Sequence, residues 1–169
     1  MTVRPDGAPV PDDPSRLADR IALHELRARY THLYDGGDLE GFVGLFTGDG
    51  VLQLGPAGFA RGHDELRAAL AAPMETAAFA CHFTSDEISE FTGDDTARGT
   101  SRFAVHYGRS PDIQGAGTYH DEYRRTAEGW RFASRTISFF YMGPRGLAWP
   151  PAPPPITMPD ATTGGADHA

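Results

Sequence analysis

The sequence contains no lysine and no asparagine, and a single cysteine, Cys81. Without lysine there is no Schiff-base chemistry, no phosphate-loop lysine and no pyridoxal anchor. Without asparagine there is no N-glycosylation acceptor and no amide side chain of that type to hold an oxyanion. A lone cysteine forms no internal disulfide, which fits a reducing cytoplasmic compartment. The cations are all arginine, 15 against 23 acidic residues, for a net charge of −8. No basic stripe is visible, so nucleic acid and anionic membrane surfaces are not expected partners. No run of about 18 apolar residues exists to span a bilayer. The first residues, MTVRPDGAPVPDDP, lack the apolar stretch of a secretory signal.

The 169 residues suggest one domain. Prolines gather at the ends, four in residues 1–14 and seven in residues 144–159. Residues 1–14 therefore read as a flexible lead-in, 15–143 as the folded body, and 144–169 as a Pro-rich tail. Leu147 and Trp149 open that tail and suggest that part of it packs on the body as a lid.

Residues 15–34 predict an amphipathic helix capped by Ser15, with Leu17, Ile21, Leu26, Tyr30 and Leu33 at three- and four-residue steps. Asp35-Gly36-Gly37-Asp38 ends it, and Asp38 is placed to cap a second helix over 39–46. A short strand follows at 51–54, then a helix over 63–71 that stops at Pro73. Beyond it the period changes to two, predicting strands at 80–91, 97–107, 115–125 and 130–141. Helices followed by antiparallel strands indicate α+β, with helices on one face of a curved sheet and a concave interior suited to a small ligand.

The polar residues that would face that interior carry the functional argument. Asp35 closes the first helix directly after Tyr34, with Tyr30 one turn earlier. His82 interrupts an apolar strand opening, and His106 lies near the end of the next strand. Tyr119, Asp121 and Tyr123 alternate along the third strand and share one face. Arg135 lies on the fourth. An imidazole oriented by a carboxylate can take and return a proton near neutral pH, and tyrosine hydroxyls can hold a carbonyl or enolate oxygen. That set suits proton abstraction next to a carbonyl, followed by loss of water, double-bond migration or ring closure.

Each residue also has a plainer reading. Asp35 before Gly-Gly is a turn or cap residue, His82 and His106 are ordinary strand histidines, and the tyrosines are packing aromatics. Asp121, if buried beside two tyrosines, must be paired or functional. Arg135 is its partner inside, or a solvated strand residue. His120-x-Glu122 is a weak metal pattern facing away from Asp121. A facial triad of His82, His106 and Asp35 or Asp121 is a second one, and no metal is expected. Cys81 and His82 are strand neighbours that face opposite ways, a poor dyad.

The runs RIALHELRARYTHLYDGGDLEGFVGLFTGDGVLQL, RGHDELRAAL, CHFTSDEI and GTYHDEYRRTAEGWRFASRTISFFY, in that order and spacing, resemble the SnoaL-like group of the nuclear transport factor 2-like superfamily over residues 17–141. The resemblance implies a cone-shaped α+β barrel whose curved, mixed or antiparallel sheet wraps around N-terminal helices. It also implies a deep pocket, no cofactor, and a homodimer or homotrimer. The family includes polyketide cyclases, scytalone dehydratase, bile acid dehydratases, ketosteroid isomerase, limonene epoxide hydrolase and non-catalytic members. Tyr34-Asp35 and Cys81-His82-Phe83 are most similar to the dehydratases, which carries acid–base roles onto Tyr34, Asp35 and His82. His106 falls near a second histidine of scytalone dehydratase, and Tyr30 becomes a wall. Gly117 and Tyr119 stand where scytalone dehydratase has a serine and an asparagine, which argues against scytalone as substrate. Asp121 matches the acidic residue of SnoaL-type cyclases.

Three expectations result. The first is a lyase for a cyclic, hydroxylated, ketone-type substrate (polyketide or steroid-like, in secondary metabolism), with catalytic Asp35, His82 and Tyr34. The second is a cyclase or isomerase led by Asp121, with Tyr30, His106, Tyr119, Tyr123 and Arg135 binding substrate in either case. The third is a non-catalytic binding or assembly module, marked by an interior filled with side chains or by His82 and Asp35 held apart.

Overall fold

The computed structural model describes residues 14–55, 58–77, 79–108 and 113–144. The lead-in before residue 14 and the tail after residue 144, with Leu147 and Trp149, lie outside the described residues.

Helix α1 (Leu17–Asp35) follows a single 3-10 turn, Pro14–Arg16. Arg16, and not Ser15, takes the cap position, without a side-chain cap. Its guanidinium instead reaches Asp19 at 3.2 Å and Asp94 at 3.0 Å. The buried stripe is Asp19, Leu23, Leu26, Arg27, Tyr30 and Thr31. Leu17 and Ile21 are exposed, so the apolar face predicted from them is rotated at its first two turns. The cause is polar. Asp19 Oδ2 accepts from Arg125 Nη2 at 2.6 Å, and Oδ1 accepts from Trp130 Nε1 at 3.1 Å, which turns this carboxylate inward.

Gly37 takes a φ of 74°, a left-handed conformation that glycine adopts freely, and reverses the chain after α1. Asp38 then caps α2 (Leu39–Val43) by accepting from Gly41 N–H at 2.8 Å, as expected from the sequence. Helix α2 is shorter than predicted because Leu45 C=O accepts from Phe132 N–H at 2.9 Å and draws the chain into the sheet. Strand β1 (Phe46–Gln53) therefore starts earlier than the sequence pattern indicated, and a short β2 (Phe59–Arg61) not anticipated there pairs with it. Helix α3 (Gly62–Thr76) runs through Pro73. A proline there removes one helical hydrogen bond near the end of the helix, while Leu66 and Leu70 anchor the preceding turns.

Strands β3 (Phe79–Phe91), β4 (Thr96–Gly108), β5 (Ile113–Thr126) and β6 (Gly129–Pro144) contain the four predicted strands, extended by one, two, three and four residues in turn. Together with β1 and β2 they form one curved six-stranded sheet in the order β2-β1-β6-β5-β4-β3. Its pairs are antiparallel except β1 with β6, which is parallel. The sheet does not close on itself: β2 and β3 remain edges, so the cone is an open one and not a complete barrel. Helix α1 lies along β3 and against β6, and α3 covers β1 and β2. No helix among the described residues is long and apolar enough to cross a membrane.

The space between helices and sheet is filled by rings. Tyr30 packs at 4.6 Å from Phe42, 5.7 Å from Tyr119 and 5.7 Å from Phe132, and Phe103 stacks on Tyr119 at 4.3 Å. Gly117 makes that stack possible, since a Cβ there would lie 2.8 Å from the Phe103 ring and 2.1 Å from Ser138 O.

The hydrogen bonds to Asp19, led by that from Arg125, hold its carboxyl down at about 2. A folded-state pKa below the unfolded value adds stability that is complete above the unfolded pKa and is lost as the pH falls through the folded one. Asp19→Asn is thus expected to lower unfolding free energy by roughly 2 kcal/mol at pH 7. The deficit relative to the parent should shrink as the pH falls from about 4 toward about 2. Urea melts of both proteins across that range measure it.

Candidate active site

The last residue of α1 and the opening of edge strand β3 meet through one carboxylate. Asp35 Oδ2 accepts from the His82 backbone N–H at 2.8 Å, and Oδ1 lies 2.5 Å from His82 Nδ1. An ionised carboxylate only accepts, so in the neutral imidazole Nδ1 carries the proton and Nε2 the lone pair. Nε2 faces the Tyr107 hydroxyl at 3.4 Å. The His82 ring stands edge-on between Tyr34 at 5.1 Å and Tyr107 at 5.7 Å. The imidazole is 5% exposed and the Asp35 side chain 22%, so the carboxylate lies on the solvent side of the pair.

A cavity of about 180 Å³ opens beside that carboxylate. It is lined by Tyr34, Asp35 and Gly37 at the end of α1, Met74 and Ala77 at the end of α3, and Phe79 at the start of β3. The rings of the core occupy the depth of the cone.

The other expected site residues fall in two places. Tyr30, Tyr119, Asp121, Tyr123 and Arg135 form a second cluster, buried in the core. Asp121 Oδ1 accepts from Arg135 Nε at 2.7 Å, and Oδ2 accepts from Arg135 Nη2 at 2.7 Å and from the Tyr123 hydroxyl at 2.6 Å. Both oxygens are committed, and the structure places Asp121 as an ion-pair partner in the core, away from the cavity lining. The guanidinium lies between rings, 4.0 Å from Tyr30, 4.2 Å from Tyr119 and 4.3 Å from Phe132. Burial alone would push Arg135 down, but the charge of Asp121 and its hydrogen bonds hold it above its ordinary value. Burial pushes the Tyr30 hydroxyl up to about 12 and raises Tyr119 and Tyr123 as well, so all three stay neutral phenols.

His106 does not join the dyad. It pairs with Cys81 across β3 and β4, whereas His82 pairs with buried Val105, so His106 lies exposed on the opposite face of the sheet. His120 and Glu122 are exposed too, on the face away from Asp121. Among the described residues, no group of three His, Cys, Asp or Glu is placed to hold a metal.

Two residues escaped the sequence reading. Tyr107 follows buried Phe103 and Val105 at two-residue steps on the inner face of β4, a pattern visible in the sequence but overlooked beside the more conspicuous His106. Arg27, within the first helix, sends Nη1 to the Tyr123 hydroxyl at 3.1 Å and to Ser89 Oγ at 2.8 Å, and Nη2 to Glu87 at 3.0 Å. Nothing in the helical pattern marks an arginine as buried.

The SnoaL-like domain model matches residues 15–136, and the chain belongs to that family. Among solved structures it is similar to a putative scytalone dehydratase from Novosphingobium aromaticivorans. That match has a TM-score of 0.72 and 20% identity and covers 80% of this chain and 98% of that one. It is also similar to a type 2 hexachlorocyclohexane dehydrochlorinase, LinA, with a TM-score of 0.70 and 20% identity, covering 83% of this chain and 97% of that one. A Nostoc punctiforme protein of unknown function with a cystatin-like fold is 30% identical, with a TM-score of 0.64, covering 73% of this chain and 92% of that one. The search of curated proteins returned no match. These likenesses place the open sheet and its helices in the nuclear transport factor 2-like cone fold.

Removing one partner of a buried, hydrogen-bonded ion pair leaves the other charge uncompensated. Asp121→Ala is therefore expected to destabilise the fold by roughly 3–5 kcal/mol, read as a shifted urea midpoint. Replacing Asp121 and Arg135 together by apolar residues should cost less than that single change.

Proposed function

We propose that this protein is a lyase that needs no cofactor and removes water from a compact, cyclic, hydroxylated ketone-type substrate. The observation that carries this reading is the Asp35–His82 contact, which commits Nδ1 and leaves Nε2 as a base. His82 takes the proton from the carbon next to the carbonyl. Asp35 stabilises the imidazolium so formed and keeps the ring in register through the backbone bond to the same residue. The protonated Nε2 then returns its proton to the departing hydroxyl, and water leaves. Tyr34, edge-on to the imidazole and in the wall of the cavity, borders the reacting atoms.

Two neighbours support an elimination by their names, one a dehydratase and the other a dehydrochlorinase. Cavities for drug-sized ligands run roughly 300–1,000 Å³. The cavity beside Asp35, about 180 Å³ among the described residues, has room for a single ring. Cyclisation or isomerisation led by Asp121 has weaker support, because both of its oxygens are held by Arg135 and Tyr123. A non-catalytic role draws support from the ring-filled interior, but a binding module has no need of an oriented, buried imidazole.

The test is turnover of a panel of cyclic β-hydroxy ketones, followed as enone absorbance. His82→Ala and Asp35→Ala are each expected to lower kcat by roughly 100- to 10,000-fold; Asp35→Ala also lowers the melting temperature, because it leaves two donors of His82 unpaired, so turnover is compared where both variants are folded. Retained turnover in both variants would overturn the assignment.

A further inference from the structure

We infer that Tyr107 is a catalytic residue of this elimination: its hydroxyl donates a hydrogen bond to the substrate oxygen that gains charge as His82 takes the proton. The inference rests on the lyase reading given above.

The placement comes from β4. Phe103 and Val105 are buried, and Tyr107 continues that face of the strand, where it is half-buried. Register puts it opposite Ala80, two residues before His82. Its ring lies 6.3 Å from Tyr34 and 5.7 Å from His82, so the imidazole, Tyr34 and Tyr107 form one cluster of rings, and Tyr34 and Ala80, the register partner of Tyr107, line the cavity beside it. The 3.4 Å separation of hydroxyl and Nε2 is long for an O–H donor, whose bonds cluster near 2.7–3.0 Å. A substrate oxygen that takes the hydroxyl's hydrogen bond replaces this long contact and leaves Nε2 facing the neighbouring carbon.

The step balances as follows. The C–H bond next to the carbonyl breaks, its proton passes to Nε2, and its electron pair becomes the enolate. The enolate oxygen carries the charge and accepts from Tyr107. On collapse, the C–O bond to the leaving hydroxyl breaks, the Nε2 proton passes to the departing oxygen, and a carbon–carbon double bond and water result. A donor aimed at developing charge in a partly dry site is the arrangement by which enzymes stabilise oxyanions.

The probe is p-nitrophenol, a single-ring phenol whose coloured phenolate mimics the enolate oxygen. The parent protein is expected to bind it and to hold more of it ionised than Tyr107→Phe does, at the same pH. Tyr107→Phe should bind the phenolate roughly tenfold to a hundredfold more weakly, with unchanged melting. On the reactive ketone, the same variant should lose roughly 100- to 1,000-fold in kcat with little change in KM. Tyr107→His, which keeps a donor, should recover part of both losses, and it decides the question if the phenylalanine variant melts early. Equal ionisation of the bound phenol in parent and Tyr107→Phe overturns the inference, as does a parent that does not bind it. If the phenol difference holds while no hydroxy ketone turns over, the donor role of Tyr107 stands and the dehydration reading is the part that fails.

Discussion

The carboxylate of Asp35 accepts two hydrogen bonds from one residue, and the functional part of this fold depends on that. A sheet edge exposes unpaired backbone groups that must be covered, paired or solvated. Strand β3 is such an edge, and α1 covers it with side chains. Asp35 takes the His82 N–H, and Arg20 supplies a donor to the Ser89 carbonyl. The bond that covers the edge also orients the imidazole. One carboxylate both covers part of the edge and sets the base, which is why a residue that reads as a helix-end turn can be the pivot of a site.

The two carboxylate pairs, Asp121 with Arg135 and Asp35 with His82, differ in what they can do. Arg135 is always charged, forks onto both oxygens of Asp121, and has no proton to exchange near neutral pH. His82 can gain and lose one. Burial keeps the neighbouring Tyr30, Tyr119 and Tyr123 neutral, so the core pair is shielded by groups that do not compete for its charge. From partly buried Glu87 through Arg27, Tyr123 and Asp121 to Arg135 runs one connected line of polar contacts, and each carboxylate in it meets a cation. The result is a rigid charged floor beneath a mouth whose imidazole is free to act.

Side-chain geometry sorts residues that the linear pattern groups together. Tyr119, Asp121 and Tyr123 do share a face, as alternation demands, but that face meets the core and not the cavity. His106 and Tyr107 are neighbours in the chain, and the strand sends them to opposite sides. The histidine, chemically the more suggestive, faces outward, and the tyrosine meets the base. The predicted stripe on α1 failed at Leu17 and Ile21 because Asp19 had better partners inward than either side chain had apolar neighbours.

What the amino-acid order alone determined is local. The four long strands follow from period-two alternation, the end of α1 from Gly36-Gly37, and the cap of α2 from Asp38. All of these depend on residues within a few positions of one another. The order of motifs was enough for the family, and Tyr34, Asp35 and His82 came with it. The tertiary structure decided the rest. It opened the sheet at two edges, added β2, carried α3 through Pro73, filled the cone with rings, and brought Asp35 to His82 and Tyr107 to its other nitrogen. The contacts that build the site join residues 47 and 25 positions apart, and their free energy depends on mutual distance and burial, which no periodicity along the chain encodes.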